Sequence, residues 1–183
     1  MIINNNENPI NNNQNLINNI LTKPQTFLNH ITGKKPIRIT LLAFFVKHNC
    51  NLVHVDTSKV KNMSWMFSQE TAFNQDISQW DVSNVRRMTW MFNKATSFNQ
   101  NISKWDVGNV THMNWMFSEA TSFNQDLSQW NTSNVVTMVG MFDEATSFNQ
   151  DISQWDTSSV VAMRDMFDSS TSMEEVHKPT FNL

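Results

Sequence analysis

This chain of 183 residues has no tyrosine, three glycines, four prolines and one cysteine. Each scarcity excludes something. Three glycines are too few for a turn that demands glycine to recur along the chain. The lone Cys50 forms no internal disulfide, says nothing about redox compartment, and reads as a small filler rather than a nucleophile. Charged residues make up only 16% of the sequence and the net charge is -3. That is not the basic field of a nucleic-acid binder. The longest apolar run, Leu41-Leu42-Ala43-Phe44-Phe45-Val46, is far shorter than the ~18–20 residues that span a bilayer, so no transmembrane segment is expected. The N-terminus lacks a basic stretch followed by an apolar one, so no ordinary secretion signal is visible.

Catalytic signatures are missing as well. There is no glycine-rich phosphate loop, nucleophile elbow, paired-histidine helix or Cys-x-x-Cys. His30, His48, His54, His112 and His177 do not fall at metal-ligand spacings. The expectation is therefore a protein that is not an enzyme, with no cofactor and no metal.

What the chain does have is a repeat. Phe73, Phe98, Phe123 and Phe148 are each 25 residues apart, as are Trp80, Trp105, Trp130 and Trp155. The Met-Phe pairs ending at Phe67, Phe92, Phe117, Phe142 and Phe167 keep the same period. Five units of 25 residues fill 48–172 without an insertion. A period of this length marks a stacked array, in which each unit buries its apolar face against its neighbours. Counting from the Phe position as slot 1, the recurrent apolar slots are 1, 5, 8, 13, 16, 19, 20 and 23, and their side chains are expected to form the core. The first unit, 48–72, is degenerate at its start, with His48 in the Phe slot and Val55 in the Trp slot.

Around the array, residues 1–22 form a tail in which ten of the first twenty residues are Asn. Such a composition buries too little apolar surface to order itself. Residues 23–47 read as an N-terminal capping segment, with Thr40 as the N-cap of an amphipathic helix; membrane association is the alternative for this stretch. Residues 173–183 read as a polar C-terminal tail in which Pro179 discourages regular structure.

Within a unit, Asp76-Ile77-Ser78 and its copies suggest one short strand per coil. The segment Met88 to Ala95, apolar at spacings of three and four, suggests a helical turn or two opposite. The expected fold is an α/β repeat: a leucine-rich-repeat-like solenoid of five coils, with a parallel sheet of short strands and helical turns. A right-handed β-helix is the alternative. The polar columns at slot 2 (Asn49, Asn74, Asn99, Asn124, Asn149) and slot 9 (Asp56, Asp81, Asp106, Asn131, Asp156) read as side chains bonding backbone in turns, in preference to a calcium site.

The strings FNQDISQWDVSNV and FNQDISQWDTSSV, each followed by Met and then Met-Phe, resemble the repeat of the BspA-like leucine-rich-repeat surface proteins, the family also described as DUF285 or the lipoprotein-associated repeat. HVDTSKVKNMSWMF resembles the start of such arrays. The resemblance covers 48–172. It implies a leucine-rich-repeat-like solenoid, surface display, and a role in adhesion or protein interaction, with no catalytic residues to carry over. Localisation is expected at the cell surface on that resemblance and in the cytoplasm on the missing signal.

Sites are sought where slots vary. Slot 18 reads Trp65, Trp90, Trp115, Gly140, Asp165. A position that tolerates glycine and aspartate is expected to be partly exposed, so the three indoles form a candidate contact row. Arg86, Arg87 and His112 lie beside it and complete the candidate partner-binding set. The expected function is a non-catalytic interaction module of adhesion type, binding a protein or a surface glycan. The competing expectation is a structural or intracellular scaffold without a ligand site of its own.

Overall fold

The computed structural model describes Val46, residues 50–53 and residues 55–181. The expected tail, 1–22, and the expected cap, 23–47, lie outside the described residues except for Val46, which is helical and buried in the core.

Successive units lie in register. Parallel bridges join Asn62 to Arg87, Arg87 to His112, His112 to Thr137 and Thr137 to Ala162. The backbone bonds around them repeat with the period. The N–H groups of Met63, Trp65, Phe67 and Gln69 donate to the carbonyls of Arg87, Thr89, Met91 and Asn93. The same four slots, 16, 18, 20 and 22, donate to the next unit at each later junction, ending with Met138, Gly140, Phe142 and Glu144 on the carbonyls of Ala162, Arg164, Met166 and Asp168.

The ladder therefore sits where the sequence suggests helical turns, and the segment read as a strand carries none. Both differences have local causes. Around Ile77 the backbone is already engaged: Asp76 Oδ1 accepts from Ser78 N–H at 2.9 Å, and the Ile77 carbonyl accepts from Trp80 N–H at 3.1 Å. In the Met-x-x-Met-Phe stretch, Met66 N–H closes a turn on Met63 O, Ser68 on Trp65 O and Glu70 on Phe67 O. These successive i to i+3 turns bring apolar side chains inward every three or four residues, as a helix would, with no helix in the described residues of the units.

The turns overturn the expectation drawn from scarce glycine. Left-handed backbone recurs twice in every unit. Slot 18 has φ of 67° at Trp65, 61° at Trp90, 56° at Trp115, 58° at Gly140 and 59° at Asp165. Slot 22 has 66° at Gln69, 60° at Lys94, 57° at Glu119, 54° at Glu144 and 49° at Ser169. Only one of these ten residues is glycine. In the first four units each slot is held by its own N–H on the next unit and by adjoining turn bonds, which over-determines a conformation that costs ~1–3 kcal/mol elsewhere.

The core is a set of columns. Phe67, Phe92, Phe117, Phe142 and Phe167 stack at centroid separations of 5.2, 5.5, 5.6 and 5.7 Å. Beside them Phe73, Phe98, Phe123 and Phe148 stack at 5.9, 5.7 and 6.0 Å. The slot 8 tryptophans are buried, as expected, and each has a polar duty. Trp80, Trp105, Trp130 and Trp155 donate their indole N–H to the carbonyls of Leu52, Ile77, Ile102 and Leu127 in the unit before. A buried indole needs such an acceptor, and here it links units on the side without a ladder.

The polar columns do structural work. Asp76, Asn101, Asp126 and Asp151, and likewise Asp81, Asp106, Asn131 and Asp156, each accept from the backbone N–H two residues on. These are Asx turns. The serine bonds hold the carboxyls of Asp76, Asp151 and Asp156 below the usual range. Asn74, Asn99 and Asn124 each accept from the N–H of the next column member and from the following glutamine side chain. Asn149 continues the column onto the C-terminal segment, accepting from Glu174 N–H and meeting His177 Nδ1. That segment is packed rather than loose. It forms a short 3-10 helix, Glu175–His177, buries Met173, and places Lys178 over the Phe167 ring.

Candidate interaction surface

Inside each unit the slot 16, 19 and 20 side chains point into the core, which leaves slots 14, 15, 17 and 18 on the outer face of the ladder. This face carries the sequence variation. The predicted indole row is there: Trp65 and Trp90 stack at 5.0 Å and 9°, and Trp90 and Trp115 at 5.2 Å and 13°. Trp65 is 58% exposed, while Trp90 and Trp115 are half-buried between their neighbours. Gly140 ends the row because the Trp115 ring lies over it. A Cβ on Gly140 would sit 2.2 Å from Trp115 Cε3.

Arg87 and His112 occupy slot 15 of adjacent units and are bridged through their backbones. Burial, and then the Arg87 charge, push the His112 imidazole below its ordinary pKa. Thr111 Oγ1 donates to Arg86 O at 3.1 Å and lies 2.8 Å from His112 Nδ1. Arg86 is exposed in slot 14 of the same face. The structure thus brings Trp65, Trp90, Trp115, Arg86, Arg87 and His112 onto one surface.

The C-terminal half of that surface differs in a way the sequence reading missed. Slot 14 runs Lys61, Arg86, Thr111, Val136, Val161, and Val161 is 72% exposed. With Val139, Ala162, Met163 and Arg164 it lines a shallow depression of about 550 Å³. The signal was available: valine at a slot otherwise basic or polar is out of keeping with a solvated column. Opposite the ladder, Gln79, Gln129 and Gln154 bond the neighbouring serine hydroxyls, and Lys104 lines a small polar recess with Gln79 and Asp76.

Among the described residues no group of three or more His, Cys, Asp or Glu side chains is placed to hold a metal ion, and no helix is long and apolar enough to cross a membrane. At slot 21 of the fourth unit, Asp143 is raised above the usual carboxylate range by burial first and then by Glu144, Asp168, Glu119 and Asp165.

Five like units joined in register, with a constant core and a variable outer face, define a tandem-repeat protein. The chain belongs to the family described as Mycoplasma protein of unknown function, DUF285, whose sequence profile matches residues 40–138 and again 100–181. Nothing among the curated proteins or the solved structures matches it.

Proposed function

We propose that this chain is a non-catalytic interaction module of the BspA-like leucine-rich-repeat kind, a solenoid that binds a protein partner through the outer face of its ladder. The observation that carries the reading is the stack of Trp65, Trp90 and Trp115 at a slot where Gly140 and Asp165 serve equally well. The core does not require indoles there, and their backbone is left-handed, a conformation that disfavours a bulky side chain. Tryptophan and arginine are the residues that dominate protein interfaces, and Arg86 and Arg87 border the row. The charge of that border favours an acidic partner surface.

A glycan is the second reading. It is the weaker one because sugar rings pack on open aromatic faces, and the stacking uses up those faces except on Trp65. The family resemblance supports adhesion at a cell surface, and protease shaving of intact cells tests that placement. The binding test replaces Trp90 and Trp115 with glycine, as at Gly140. Retained folding with lost capture of cell-envelope proteins supports the reading. Retained folding with undiminished capture leaves the chain as a structural scaffold.

A further inference from the structure

The outer face of the ladder is a grid of units and slots, and its two ends differ in chemistry. In the first two units slots 14, 15 and 17 read Lys61, Asn62, Ser64 and Arg86, Arg87, Thr89. In the last two they read Val136, Thr137, Val139 and Val161, Ala162, Arg164. Slot 18 changes with them, from Trp65 and Trp90 to Gly140 and Asp165. Basic, polar and aromatic residues thus hold one end, and aliphatic residues hold much of the other. Val136 and Val161 are both exposed.

The depression of about 550 Å³ lies at the aliphatic end, and its lining says what fits it. Val139, Val161, Ala162 and Met163 are apolar, and Arg164 is the one charged residue among them. Met163 is only partly buried, whereas Met63, Met88, Met113 and Met138 are fully buried, so it adds apolar surface there. The charge of the whole face has one sign. Slots 14, 15 and 17 hold no carboxylate in any unit, although the chain has a net charge of -3. The face has one carboxylate, Asp165 in slot 18. Its cations are Lys61, Arg86, Arg87 and Arg164, and none of them joins an ion pair; the ion pairs among the described residues are Lys94–Glu119 and Lys178–Glu175. An uncompensated guanidinium beside an apolar wall suits a ligand that carries both a carboxylate and a large apolar group.

We propose that this depression seats a large apolar side chain of an acidic protein partner, with a carboxylate of the same segment on Arg164. The inference rests on the outer-face reading for the class of partner, and adds where the partner is anchored and by what. Arg86 and Arg87 lie three units away from Arg164, about 15 Å at the ~4.8 Å spacing of paired segments. A second carboxylate that reaches them is therefore about four or five residues from the first in an extended segment. Trp115 lies in the unit between.

The test titrates the full chain with N-acetylphenylalanine, which carries a ring and a carboxylate, and follows methyl NMR signals. Those of Val139 and Val161 should shift and saturate in the millimolar range. N-acetylphenylalaninamide, which lacks the charge, should bind about two- to fivefold more weakly, and so should the acid to Arg164→Gln. Val161→Lys, read at Val139, should weaken binding by about tenfold or more. Should that variant misfold by circular dichroism, Val161→Thr keeps the shape and should weaken binding about threefold. A wild type without a saturable shift overturns the proposal. So does binding unchanged in the Val161 variants, or equal binding of acid and amide. Self-association of the wild type that Val161→Lys abolishes would seat a second copy there and overturn it too. Trp65→Gly combined with Trp90→Gly, outside the depression, separates this inference from the outer-face reading. A titration that fails while that variant loses capture of cell-envelope proteins overturns this inference alone. A titration that succeeds while that variant captures undiminished upholds the depression and overturns the indole row.

Discussion

Replacing Glu144 with glycine should stabilise this protein, although glycine in regular structure normally weakens it. Glu144 is exposed, has φ of 54°, and is fixed by its N–H on Asp168 O at 2.8 Å and by Thr146 N–H on its own carbonyl at 2.9 Å. A Cβ in the left-handed region costs about 1–2 kcal/mol. The extra freedom that glycine gives the unfolded chain takes back about 0.5–1 kcal/mol. Losing the carboxylate also removes one of the negative charges that face Asp143. The net gain should be roughly 1 kcal/mol, a Tm rise of about 2–4 °C for a chain of this size. Glu144→Ala is the control, since it removes the charge and keeps the Cβ. In urea titrations the glycine variant should exceed the alanine variant by about 0.5–1 kcal/mol. A glycine variant less stable than the alanine variant by about 1 kcal/mol, as inside a helix, would refute the left-handed turn and restore the helical one.

Gly140→Ala should act in the opposite sense, because the same left-handed cost is joined by an overlap with Trp115; a melting temperature lowered by several degrees checks it. Trp105→Ala should cost about 3–5 kcal/mol in a denaturant titration, and Trp105→Phe about 0.5–1.5 kcal/mol, since it keeps most of the packing and removes one of the two bonds to the Ile77 carbonyl, the one from Trp80 N–H remaining. His112 has a folded pKa below its ordinary value, so the folded state binds fewer protons. Its contribution is whole above about pH 6.5 and declines as pH falls from there through the folded pKa. Stability measured at pH 5 and pH 7.5 should therefore differ less in His112→Gln than in the wild type.

The period and the core columns were legible because an inward slot admits few residues: Phe117 meets Phe92 on one side and Phe142 on the other, and all three positions must be alike. The Asx turns were legible for a related reason, since Asp-x-Ser and Asn-x-Ser bond within three residues and need no partner far off. The ladder was not legible. Met88, Met91, Phe92 and Ala95 recur at three and four in a chain of i to i+3 turns just as they would in a helix, and periodicity alone does not separate the two. The Trp65, Trp90 and Trp115 row was found through the variability of its slot, without its cause. Slot 18 is variable because its side chain leaves the core on a left-handed backbone, where glycine is the least strained residue and the others are held by bonds to both sides.

Those bonds are also why strain concentrates safely in the middle of the array and less so at its ends. Trp90 donates to Asn114 O, and in the unit before it Trp65 donates to Thr89 O, so the peptide that enters slot 18 is fixed by both neighbouring units. Asp165 and Ser169 have the same left-handed φ with no described acceptor beyond them. The terminal unit thus carries the same conformational cost with fewer bonds to hold it. In a repeat whose stability is a sum over junctions, the last unit is held through one ladder junction where each inner unit is held through two.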